Sequence, residues 1–153
     1  MRRLADALYF VTLTLWVGGL WTIGYLVAPT LFSSLADRQL AATLAVKLFS
    51  LIGWIGLGCA AYLLIFMLLR SGAAAFRRWV FWLLLLMLSM TAVSLFGLQP
   101  LLLQLKADAL PREVMQSVLR DRFATWHGIS SILYLVQSLL GLLVVAGVGG
   151  SVK

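Results

Sequence analysis

The sequence predicts an all-α integral membrane protein, a four-helix bundle with two amphipathic connector helices lying at the interface. Three observations lead there. Hydrophobic residues fill 63% of the 153 positions and charged residues only 11%, against roughly 45–50% apolar content in soluble domains. Mean hydropathy is +1.04, more apolar surface than a chain of single-domain length can bury in water. Four stretches carry no charged residue: Ala7–Ala36, Leu48–Leu69, Trp79–Leu105 and Phe123–Val152. Each exceeds the ~20 residues that cross a ~30 Å hydrocarbon core as a helix, and none shows the alternation of barrel strands. The single cysteine, Cys59, excludes a disulfide scaffold, and the shortage of polar sequence excludes a disordered chain.

One transmembrane domain, 1–153, is expected, with spans at about 7–29, 48–69, 79–100 and 123–148. The first span is too long for a signal-peptide core and ends in no small-residue cleavage site, so it stays as an anchor. Pro29 and Pro100 fall where the first and third spans leave the bilayer, and each removes a backbone donor and bends the helix. An amphipathic connector follows each. In the first, about 34–47, Ser34 and Asp37 have the spacing of a capping box, and Leu40, Leu44 and Leu48 recur every fourth residue. In the second, about 107–122, Pro111 suits a first helical position. There Leu110, Val114, Val118 and Leu119 share one face, opposite Arg112, Glu113, Gln116 and Arg120. The plan of span, proline, connector and span occurs twice. A duplicated hairpin would produce it, but the halves share little residue-level similarity, and any even number of spans forms hairpins.

The net charge of +7 sits in clusters between the apolar runs, where basic residues hold helix ends at lipid headgroups, anionic ones above all. No aromatic–basic module accompanies it, so the partner expected is the lipid bilayer and not nucleic acid. Lysines and arginines divide equally between the two faces. The short middle loop holds Arg70, Arg77 and Arg78 without an acid, whereas Asp37, Asp108, Glu113 and Asp121 dilute the connectors. That asymmetry places both termini in the cytoplasm.

Polar and small residues at helical spacing mark the faces that meet other helices. Gly18 and Gly24 in the first span, Gly53 and Gly56 in the second, and Ser131, Ser138 and Gly141 in the fourth are the expected packing positions. His127, the only histidine, lies one to two turns inside the fourth span. Ionisable groups at that depth face a bundle interior or water. Trp21, Tyr25, Trp54, Ser94 and Gln99 fall at similar depth, which predicts a small, aromatic-lined, partly polar pocket open toward the connectors. A histidine merely hydrogen-bonded at the interface is the plainer alternative.

Cys59, Met87, Met90 and His127 are ligand types that suit copper. Leucine-rich cores use methionine as filler, however, and one histidine cannot supply two imidazoles to a haem. No metal and no cofactor is therefore expected. The five acids all lie at span ends or in connectors, leaving no paired carboxylates, nucleophile triad or intramembrane proton relay. No catalytic residue is assigned, and an enzyme is not expected.

The run Leu15-Trp16-Val17-Gly18-Gly19 through Gly24, Ala28-Pro29 and Leu31-Phe32, the block Leu44 to Lys47-Leu48-Phe49, and the closing Phe123, His127-Gly128-Ile129-Ser130 and Leu133 resemble the bacterial transmembrane-protein-205-like family. That resemblance implies a compact four-span protein of the inner membrane with no assigned reaction. A second likeness is to small membrane copper-resistance or haem-pathway proteins, which use several histidines or methionines. The expected role is contact with lipids, with another membrane protein or with a second copy of the chain. The alternatives are an oligomeric carrier or exporter of a hydrophobic or metal-bound solute, using the pocket around His127, and below it a haem- or copper-binding subunit.

Overall fold

A computed structural model of the protein describes residues 2–108 and 116–149. Helix α1 (Arg2–Trp21) runs without interruption through a π-helical segment, Thr22–Val27, into α2 (Ala28–Ser34). After a short turn, α3 (Arg38–Ser71) leads into a 3₁₀ segment, Gly72–Arg77. Next come α4 (Trp79–Ala92), a second π segment, Val93–Leu98, and α5 (Gln99–Asp108); α6 (Gln116–Gly149) closes the described chain. Four helical stretches are long and apolar enough to cross a membrane: Arg3–Ser34, Arg38–Arg77, Trp79–Leu102 and Thr125–Val148. Helix α3 packs on α1 and α4, and α6 packs on α4 and α1, so the spans close a four-sided antiparallel ring. The protein is an all-α, multi-pass four-helix bundle.

Two local expectations change. The first connector is no separate helix, because Arg38–Lys47 is the opening of α3 and continues straight into the second span. Nothing between Arg38 and Ile52 can stop it: the stretch contains neither glycine nor proline. Its cap is Asp37, whose carboxylate accepts from the backbone N–H of Gln39 at 2.8 Å and of Leu40 at 3.2 Å. Ser34 instead ends α2. In the second connector, positions 109–115 lie outside the described residues, and Gln116–Arg122 already belong to α6.

The prolines also act differently from simple helix ends. Pro29 and Pro100 each stand two residues beyond a π segment, inside a continuing helix. The residue before each proline closes a wide turn five residues back, Ala28 N–H onto the Ile23 carbonyl and Gln99 N–H onto the Ser94 carbonyl. Proline lacks an N–H and its ring crowds the carbonyl four residues earlier. The π turn, with its extra residue, takes up that misfit without ending the helix.

The core runs along the bundle axis, where Trp16, Leu63, Leu84, Met87 and Val144 are fully buried. Outward faces stay apolar, as Leu4 at 68% and Leu69 at 84% exposure illustrate, which suits a lipid surround. The Trp16 indole lies against the bare backbone of Gly56, where an added Cβ would come within 2.5 Å of the indole nitrogen. Among the described residues, that nitrogen is the sole buried side-chain polar atom without a hydrogen-bond partner.

Candidate functional site: a pocket between the four spans

The two π segments face each other across the connector-side half of the bundle, and a pocket of about 340 Å³ opens between them. All four spans line it. The first hairpin supplies Leu20, Gly24, Ala28 and Phe32 from its first span and Val46, Phe49, Ile52 and Gly53 from α3. Tyr25 is its one polar contribution. The second hairpin differs in kind. Thr91, Ser94 and Gln99 come from the third span, with Leu95 and Leu102 between them. His127, Ser130, Ser131, Tyr134 and Gln137 come from α6, beside Leu135. The pocket thus has an apolar wall and a hydrogen-bonding wall, and among the described residues no lysine, arginine, aspartate or glutamate lines it.

Side-chain hydrogen bonds set this geometry. Gln137, only 4% exposed, donates its amide to the Thr91 hydroxyl at 2.6 Å, and Thr91 in turn donates to the Met87 carbonyl at 2.8 Å. That chain spends the Thr91 proton within its own helix and leaves its oxygen to accept from α6. The Ser138 hydroxyl likewise donates to the Leu135 carbonyl at 2.8 Å, so Tyr25 is the donor in the 2.7 Å contact between their oxygens. Tyr134 reaches across to donate to the Leu20 carbonyl at 2.5 Å. Its ring lies on Gly24, where any Cβ would collide with it, and packs edge-on against Phe49 at 5.1 Å between centroids.

Of the six residues expected around the pocket, the structure brings Tyr25, Ser94, Gln99 and His127 together on its lining. Trp21 and Trp54 are elsewhere. The Trp21 indole turns away to donate to the Ser138 carbonyl at 3.2 Å and packs on the Tyr25 ring at 4.8 Å. Trp54 follows Gly53, and one residue along a helix is a rotation of about 100°. Gly53 faces the pocket, so Trp54 points outward, 56% exposed and edge-on to Phe96 at 5.6 Å. Equal depth was the basis for grouping these residues, and depth says nothing about azimuth. Thr91, Phe49, Tyr134 and Gln137 complete the site. A glutamine deep in an apolar span was the available signal, since its amide requires a partner across a helix interface.

The packing positions divide in the same way. Gly53 lies under Leu95, Gly56 under Trp16, and Gly141 against Val17 and Met87; Ser138 is fully buried. Gly18 is one exception, with nothing within 4 Å of where its Cβ would stand, while its neighbour Gly19 faces Ile52. Ser131 is the other: it is exposed on the pocket lining and donates to the His127 carbonyl of its own helix at 2.9 Å. Met87 fills the core beside Gly141, and Cys59 is half-buried at its edge.

Residues 11–111 match the family described as a domain of unknown function, DUF4149. The chain belongs to that family. The DUF4149 match covers most of the first span, the whole of the second and third and both π segments, and so the apolar wall and the third-span part of the polar wall. No curated protein and no solved structure matches the chain.

Proposed function

We propose that this DUF4149 protein is a non-enzymatic membrane protein that binds a small amphipathic molecule between its helices. One observation carries the reading: a pocket shared by all four spans, apolar on one side and rich in hydroxyl and amide groups on the other. An occupant with an apolar face and a hydrogen-bonding edge matches both walls at once, whereas a wholly apolar one makes no use of the hydroxyl and amide groups of the second. Among the described residues every polar group on the lining is uncharged or an imidazole, which favours an uncharged ligand. In this reading the protein sits in the inner membrane with both termini cytoplasmic, as the arginines at positions 70, 77 and 78 favour. The narrower kinship with the transmembrane-protein-205-like family, drawn from the opening and closing motifs, belongs to the same proposal.

The test is native mass spectrometry of protein released from mild detergent, which reports oligomeric state and retained ligand together. The expected result is a fixed adduct that Gln99→Leu or His127→Ala diminishes while the melting temperature holds. A bare or bulk-lipid-only monomer, or an adduct indifferent to both substitutions, refutes the pocket's role. The carrier alternative demands in addition an oligomer, which the same spectrum reveals.

A further inference from the structure

The opposite face of the bundle carries a second and chemically different cavity. There the start of α1, the end of α3, the 3₁₀ segment, the start of α4 and the end of α6 enclose an open cleft of about 670 Å³. Its mouth holds Arg70, Arg77 and Arg78 against a single carboxylate, Asp6. Asp6 is consumed by Arg70: the two form an ion pair, and the Arg70 guanidinium also lies over the Phe66 ring, 5.8 Å from its centroid. Arg77 and Arg78 make no ion pair with any described residue, so the described residues of the mouth carry a net charge of +2.

Below the mouth the cleft is apolar and continuous with the outward face. Phe10 and Trp79 line it at 41% and 55% exposure. Leu69, at 84% the most exposed of the large apolar residues described, directly precedes Arg70 in the helix. The change from apolar to cationic surface therefore takes place within one residue, as expected where a span meets lipid headgroups. A guanidinium pair above an apolar slot matches a phosphate ester above acyl chains. Charge decides which phospholipid. A zwitterionic headgroup would bring its own ammonium against two guanidiniums that no described carboxylate neutralises, and an anionic one would not.

We propose that this cleft binds the headgroup of one anionic phospholipid drawn from the surrounding bilayer, with Arg77 and Arg78 on its phosphate and the chains along Phe10 and Trp79. The site lies at the other end of the bundle from the pocket and stands independently of it.

The experiment is competitive retention in native mass spectrometry, using phosphatidylglycerol and phosphatidylcholine with identical acyl chains. Wild type is expected to hold one phosphatidylglycerol in clear preference. R77A/R78A, which removes two guanidiniums from exposed positions, is expected to lower that preference about thirtyfold, and R77K/R78K to keep most of it. Should the double alanine variant melt early, R77A alone carries the comparison, with a smaller loss expected. Equal retention of the two lipids by wild type, or a preference unchanged in the alanine variants, overturns the proposal. So does displacement of the lipid by excess glycerol phosphate, which would make the site one for a free anion.

Discussion

A buried amide inside an apolar bundle has to be answered, and Thr91 answers Gln137. Thr91→Val removes the acceptor while keeping the shape, so the Gln137 N–H is stranded. The expected cost is about 1 kcal/mol, seen as a lower melting temperature in detergent. Thr91→Val combined with Gln137→Leu removes both polar groups and should recover most of that loss; failure to recover would mean that Gln137 is held by more than Thr91. The glycines separate as sharply. Gly24→Leu drives a side chain into the Tyr134 ring and should destabilise by roughly 1–3 kcal/mol, whereas Gly18→Leu, which meets open space, should leave the melting temperature unchanged. Small residues at helical spacing were visible in the sequence, but Gly18 and Gly19 are adjacent and only one of them can face inward. The pattern alone did not say which, because the later residues of the stripe, Thr22 and Tyr25, lie in the π segment, where the α-helical phase that would line them up with Gly18 no longer holds.

The π segments are the elements that build the site. Val93 follows Thr22 by 71 residues, and Pro100 follows Pro29 by the same distance, so the device recurs in one register in the first and third spans. Pairing of helices does not require a shared backbone irregularity, and this one favours duplication of a hairpin over the simpler account. Both prolines were legible as bends. The wide turns were not, since proline at the end of a span is equally compatible with a plain helix terminus. Pro100→Ala restores the missing N–H and permits a regular α turn back to the Phe96 carbonyl. Amide exchange over residues 94–101 should slow in that variant and adduct retention should fall. Unchanged exchange would place the cause of the π turn in its surroundings and not in the proline.

On the scale of the whole molecule, the four spans and their order were readable from charge-free length alone, because bilayer thickness fixes helix length. The connector boundaries were less so: a helix with no glycine, proline or cap inside it continues, whatever its polarity. The covalent link between the hairpins runs through Gly72–Arg77, a largely exposed segment entered by Gly72 at φ 53°. A chain divided within that segment should therefore reassemble when its halves are co-expressed, with co-purification as the readout and separate recovery of the halves as the contrary result. The division of the pocket into an apolar and a polar wall follows the same line, hairpin against hairpin. The hairpins stand side by side, so the polarity gradient runs within the plane of the membrane. Transmembrane voltage acts along the perpendicular. An uncharged occupant turned toward α6 by hydrogen bonds presents its dipole crosswise to that field, and its occupancy should be the same in polarised and depolarised vesicles.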